Sequence, residues 1–306
     1  MTTQSGGLIY NFGAFILRGP FQAATVMVAA SLLPLLAVLA IAALALVTLR
    51  QGMQYGAVAM LLAGALLSAL LWAMAGTVEP ALRILLEQWL PVLLLAEWLR
   101  RTVSLPSTVL LWAGLGALVV LGFHLLIDDP GAHWLVIIER FLAATGAEGL
   151  GTEAEAFLTD EIVPIMTGLW VLNLMLVVLI GLLLGRGLQA LMFNPGGLRE
   201  EFHALDLGRV TAAAGLLILL SAVLFGPGLL YDLALVVAAA FIVQALAATH
   251  ALLALRQWSA AWLMPVYLVI PFLYMPMALL GIGEALFQWR RRWGGGGSSG
   301  GGHTGV

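Results

Sequence analysis

Residues 165–190 read IMTGLWVLNLMLVVLIGLLLGRGLQA, and Asn173, Arg186 and Gln189 are the only strongly polar side chains in that run. A hydrocarbon core of roughly 30 Å is crossed by about 20 helical residues, so this stretch is long enough to span one. Residues 105–127 and 231–255 read the same way. The whole chain of 306 residues is 62% hydrophobic and only 9% charged, with a mean hydropathy of +1.05. Soluble domains run near a quarter charged. The expected fold is therefore an all-α, polytopic transmembrane helical bundle.

Apolar length and chain breakers place eight to ten membrane segments, at about 21–33, 35–49, 55–76, 79–99, 105–127, 164–190, 209–226, 231–255, 258–270 and 272–289. The first two meet at Pro34 and the last two at Pro271, so each end carries a Pro-broken pair. Proline removes a backbone bond that neighbouring helices or water can replace. Residues 1–20 are read as a cytoplasmic N-terminal segment with no cleaved leader, 21–292 as the transmembrane domain, and 293–306 as a disordered Gly-rich tail. His303 in that tail is given no role.

Charge orients the bundle. All thirteen basic residues are Arg, and Arg50, Arg100, Arg101, Arg186, Arg199, Arg209 and Arg256 fall in alternate loops. Arginine is enriched on the cytoplasmic side. The opposite segment, 128–163, holds Asp128, Asp129, Glu139, Glu148, Glu153, Glu155, Asp160 and Glu161 against Arg140 alone, and is read as outward-facing. Hairpin or re-entrant pairs at both ends return Arg18 and Arg290–Arg292 to the cytoplasm, so both termini are expected there, in a bacterial inner membrane.

Two connections are more than turns. Trp134, Leu135, Ile138, Phe141 and Leu142 form an apolar stripe at helical spacing, and Thr152 with Glu155 resembles a capping box, so 131–161 is expected to hold one or two outer helices. Asn194-Pro195-Gly196-Gly197 is a turn signal before a short polar cytoplasmic helix over 198–207, within the segment 194–208. Gly64 with Ser68, and Gly181 with Gly185, have the four-residue spacing of close helix contacts.

Ionisable groups inside a membrane are costly and point to function. Glu79, Arg83 and Glu87 stand at i, i+4 and i+8 of a helix that Thr77 and Pro80 start, and so share a face. They suit either a self-neutralised packing device or the floor of an outward-facing pocket for a polar or cationic ligand. Trp170 and Asn173 reach a similar depth and are candidates for the same pocket. His124 lies near Asp128 and Asp129. Gln244 and His250 are read as interhelical hydrogen-bonding residues, Glu97 as an ion-pair partner of Arg100 and Arg101, and Arg290–Arg292 with Trp289 and Trp293 as an inner-face anchor that also suits anionic lipid.

The absence of Cys excludes disulfides, iron–sulfur clusters, thiolate zinc sites and a Cys nucleophile. No H-E-x-x-H and no P-loop is present. Tyr231-Asp232 with Gly281-Ile282-Gly283-Glu284 only faintly resembles the paired motifs of intramembrane aspartyl proteases, since Glu284 replaces the second Asp. No enzyme activity, metal or cofactor is expected, and no nucleic-acid partner.

The run Phe241-Ile242-Val243-Gln244-Ala245-Leu246-Ala247-Ala248-Thr249-His250 resembles the Phe-x-x-Gln-Gly-Leu-Ala-x-x-His stretch of the YybS-like family of bacterial membrane proteins, with Ala245 where Gly is usual. Glu201–Arg209, Leu49-Arg50-Gln51-Gly52 and the Gly/Ala-rich 56–65 resemble that family in order and spacing. The family is similar to the S components of energy-coupling-factor transporters, which capture a vitamin or metal ion from the outer side. The resemblance implies capture or transport of a small polar solute. Segment 21–33 lacks the Ala-x-x-x-Ala face with which many S components dock their energising subunit. The alternative is a membrane scaffold or assembly factor whose helices over 131–161 and 198–207 bind other proteins.

Overall fold

A computed structural model describes residues 7–33, 36–146 and 151–290. Pro34, Arg291, Arg292, Trp293 and the Gly-rich tail lie outside the described residues, as does the side chain of Thr152.

The described chain is all-helical. In order it forms α1 (Leu8–Ile16), α2 (Pro20–Ser31), α3 (Ala37–Gln51), α4 (Met53–Ala75), α5 (Glu79–Ile84), a π turn (Leu85–Trp89), α6 (Leu90–Thr102) and α7 (Leu105–Leu126). Then follow α8 (Pro130–Thr145), α9 (Thr152–Phe157), a second π turn (Leu158–Ile162), α10 (Met166–Phe193), α11 (Gly197–His203), α12 (Arg209–Phe225), α13 (Leu229–Leu255), α14 (Leu263–Val269) and α15 (Tyr274–Phe287).

Four helical stretches are long and apolar enough to cross a membrane: Met53–Ala75, Leu105–Leu126, Glu153–Phe193 and Leu229–Leu255. The pair α1 and α2, bent by 118°, makes a fifth if it counts as one broken span. Helices α3, α12 and α15 are apolar but shorter, between 10 and 17 residues. At 1.5 Å per residue such helices reach about 15–26 Å, under the full hydrocarbon thickness. This is a polytopic membrane protein. The sequence anticipates where most helices lie, but of the eight to ten expected membrane segments four, or five with the bent pair, are long and apolar enough to cross. The bent pair is α1 with α2, not the pair expected to meet at Pro34, and α1 lies inside 1–20, where no element was expected. The short polar helix expected over 198–207 also ends earlier, at His203.

The chain divides into two compact units, Met1–Gly116 with Val171–Glu201, and Ala117–Trp170 with Phe202–Val306. In the first, α3 is the centre, packed by α2, α4 and α6. Every residue from Ala40 to Leu49 is buried, as suits a helix that is apolar all round. The part of α10 in this unit approaches α3 through two glycines. A Cβ at Gly181 would fall 2.4 Å from Ile41 Cγ2, and one at Gly185 would fall 2.7 Å from the Ala42 carbonyl oxygen. The expected Gly181/Gly185 contact is thus a real close approach. Gly64 likewise faces Leu85 at 2.6 Å.

In the second unit α13 is the centre, with α15 and α12 along it. Phe241 sits in a slot made by two glycines. A Cβ at Gly281 would lie 1.8 Å from the Phe241 carbonyl oxygen, and one at Gly215 would lie 2.4 Å from its ring. Helix α14 buries none of its residues.

Candidate functional site

Glu79, Arg83 and Glu87 stand on one continuous helical run, as the spacing implies, but they do not form one ionic set. Thr77 Oγ1 accepts the Glu79 N–H at 3.2 Å, and Pro80 sits in the first turn of α5. Arg83 turns back to Glu79 at 2.6 Å, with side chains 67% and 65% exposed. Glu87 lies in the π turn, where Leu90 N–H reaches five residues back to the Leu85 carbonyl. The sequence cause is Pro91. It has no N–H to give and its ring crowds the carbonyl four residues earlier, which is that of Glu87.

Glu87 is half-buried, and among the described residues its carboxylate makes no hydrogen bond or ion pair. Two residues on, the fully buried Trp89 has an indole N–H with no acceptor. The expected pairing of Arg83 with both carboxylates is corrected: Arg83 forms its ion pair with Glu79 and reaches Glu87 only through its longer-range charge.

Trp170 packs in an aromatic cluster of the second unit, its ring centroid 5.9 Å from those of Phe123 and Trp134. Asn173, in the first unit, is exposed. Gln244 and His250 do bond between segments. Gln244 is fully buried; its Oε1 accepts the Leu207 N–H at 3.0 Å, and its Nε2 donates to Glu284 Oε2. His250 Nε2 meets the Tyr267 hydroxyl at 3.0 Å, with Phe202 edge-on to its ring.

Four buried polar arrangements were not legible as such. Asp232, 1% exposed in the first turn of α13, accepts the Gly168 N–H at 3.0 Å on Oδ1 and meets His124 Nε2 at 2.8 Å on Oδ2. The partner of His124 is thus a buried acid on another helix, whereas neighbouring Asp129 caps α8 by accepting the Ala132 N–H. Beside it, the Trp134 indole donates to buried Thr167 Oγ1 at 2.9 Å. At the far end of α13, Arg290 binds Glu284 at 2.7 Å and donates to the carbonyls of His203 and Leu205. In the first unit Arg186 makes a two-pronged pair with Glu201 and a bond to Gln189. Glu97 pairs with Arg100 and Arg101 as the spacing implies, at 3.0 and 2.6 Å.

Asp232 and Glu284 are not a catalytic dyad. Glu284 is bound to Gln244, twelve positions along α13 from Asp232, or about 18 Å of helix, whereas an aspartyl dyad needs its carboxylates near 3 Å apart. Among the described residues no three His, Asp or Glu side chains group so as to hold a metal ion. Comparison with protein-family models, with curated proteins and with solved structures finds no match to this chain.

Proposed function

We propose that this membrane protein captures or transports a small polar solute, with Glu87 as the group that anchors it. The observation that carries the reading is the unpaired, half-buried carboxylate on a π-distorted turn. A carboxylate at membrane depth is costly unless paired, and π turns recur at functional sites. A cationic or hydrogen-bonding solute supplies the missing partner. The likeness to YybS-like proteins and to S components agrees with this role.

The same proposal places the chain in a bacterial inner membrane with both termini cytoplasmic. Two sets of bonds support that topology. Gln51 Nε2 donates to the Leu17 carbonyl at 2.7 Å, holding the segment before α2 beside the Arg50 end of α3. Arg290 bonds the carbonyls of His203 and Leu205, holding the end of α15 beside the segment that precedes Arg209. Reporter fusions near Ser5 and after Val306 test it; outer-side activity at either position refutes that end's assignment.

The test of capture is thermal stability of the purified protein against a panel of amines, vitamins and divalent cations. Glu87→Gln, which keeps shape and removes charge, should fold normally and lose any solute-dependent stabilisation. Full stabilisation of Glu87→Gln by the solute that stabilises the parent refutes the site. A scaffold role is the second reading, favoured by α8, whose Val136, Ile137 and Phe141 are exposed outside the long apolar spans.

A further inference from the structure

The first unit contains a recess of about 270 Å³ that has nothing to do with Glu87. It is a half-open recess lined by the end of α3, the end of α6, the end of α10 and α11, and its polar lining is Arg100, Arg186, Gln189, Asn194 and Glu201. These are the helix ends where the first unit gathers its arginines. We propose that this recess binds a phosphate group, a site distinct from and independent of the proposed solute anchor.

The charge balance is the first argument. Arg186 is bound by Glu201, and Glu97 is shared between Arg100 and Arg101. Arg50 lies at the rim with its guanidinium 4.0 Å from the ring centroid of Phe193, another lining residue. Of these four arginines only Arg100 and Arg186 line the recess, each paired with a carboxylate, and the surplus of two positive charges lies on the exposed Arg50 and Arg101 beside it.

Geometry is the second. A guanidinium carries five N–H donors. Arg186 commits three of them, Nε and one on Nη2 to Glu201 and one on Nη1 to Gln189. Its side chain is only 10% exposed, and it lines the recess with two donors left over. The carboxylate fork fixes the plane of the group, which is how arginine is prepared for bidentate recognition of a second anion. Arg100 commits Nε and Nη2 to Glu97 and keeps Nη1 for another acceptor. The Asn194 side chain adds an amide at the rim.

Size is the third. Pockets for drug-sized ligands start near 300 Å³, so this recess suits a phosphate with a small substituent. That chemistry has two sources at the end of a membrane helix: the headgroup of an anionic phospholipid, or a soluble phosphate ester. Lys is absent from the chain, so arginine forks alone provide this recognition.

The test uses the full-length protein, stripped of lipid in a neutral detergent. Phosphatidylglycerol, glycerol 3-phosphate, inorganic phosphate and phosphatidylcholine are titrated separately. Phenylglyoxal modification of Arg100 is followed by peptide mass spectrometry alongside thermal stability. A ligand with an anionic, uncompensated phosphate is expected to slow Arg100 modification and raise the melting temperature more than phosphatidylcholine, whose choline offsets its phosphate charge. Arg100→Gln should bind it about tenfold more weakly, the loss of one charge-assisted hydrogen bond, while Arg256→Gln should bind as the parent does.

Protection by phosphatidylglycerol alone identifies a lipid headgroup, and protection by glycerol 3-phosphate or inorganic phosphate identifies a soluble phosphate. If none protects Arg100 better than phosphatidylcholine, the proposal is overturned. Unchanged affinity in Arg100→Gln overturns it too. Should Arg100→Gln fail to fold, the footprint on the parent protein decides alone.

Discussion

Along α13, Asp232 and Gln244 are buried and each side chain is bonded on both of its polar atoms: to His124 and the Gly168 N–H, and to Glu284 and the Leu207 N–H. Along the run from α5 through the π turn to α6, the Glu87 carboxylate and the Trp89 indole N–H make no hydrogen bond among the described residues. The first helix uses polar groups to fix which neighbours it packs against. The second keeps polar capacity in reserve. Polar residues in a membrane helix are thus of two kinds, and the difference lies in whether the protein itself completes their hydrogen bonds.

The comparison breaks most sharply at the packing that supports α13. Gly281→Leu drives a side chain into the Phe241 carbonyl, which an added Cβ would already approach to 1.8 Å. Backbone cannot yield as a flexible side chain can, so α15 must leave α13. The expected result is loss of monodisperse protein on size-exclusion chromatography. A well-folded Gly281→Leu would mean that α13 and α15 are not held together as described.

Next in size is the contrast between the two acids. Asp232→Leu strands the Gly168 N–H and removes the partner of His124, and breaking a buried pair in this way costs about 3–5 kcal/mol. Glu87→Leu removes a carboxylate that the protein leaves unpaired, and is expected to be neutral or stabilising. Unfolding of both variants by steric trapping or denaturant in micelles measures the gap. Equal losses would erase the distinction between the two helices. A smaller effect is expected of Gln244→Leu, which leaves the Leu207 N–H without an acceptor at about 1–3 kcal/mol, read in the same assay.

The helices were legible because long apolar runs with Gly and Pro at their ends admit few alternatives; α12, expected over 209–226, is Arg209–Phe225. Local charge pairs were legible for the same reason, since Glu97, Arg100 and Arg101 are one turn apart on one helix. The pair of His124 and Asp232 was not, because 108 residues separate them. Their meeting depends on how two helices are rotated and how deep each sits, and hydropathy carries neither. Glu87 lies between these cases. Its charge marked it, and Pro91 four residues on was a readable reason for a distorted turn, yet the i, i+4, i+8 spacing alone implied an ion pair that the structure does not form. A spacing says which side chains can meet; Arg83 had two carboxylates within reach and took the one nearer the helix start.

That choice sets the smallest expected effect. The Glu79–Arg83 pair is about two-thirds exposed on both sides, and exposed pairs of this kind contribute about 0.3–0.5 kcal/mol. Glu79→Ala should therefore shift stability by no more than that on its own account. It also frees Arg83, whose long side chain can then swing along the helix toward Glu87. If Glu87 anchors a cationic or polar solute, a freed arginine competes for the same carboxylate, and solute-dependent stabilisation should weaken while intrinsic stability hardly changes. Arg83→Gln should do the reverse and leave Glu87 more available. Opposite signs for these two exposed substitutions, measured by thermal shift with and without the stabilising solute, separate a reserved carboxylate from a merely tolerated one; equal signs would remove Glu87 from the site.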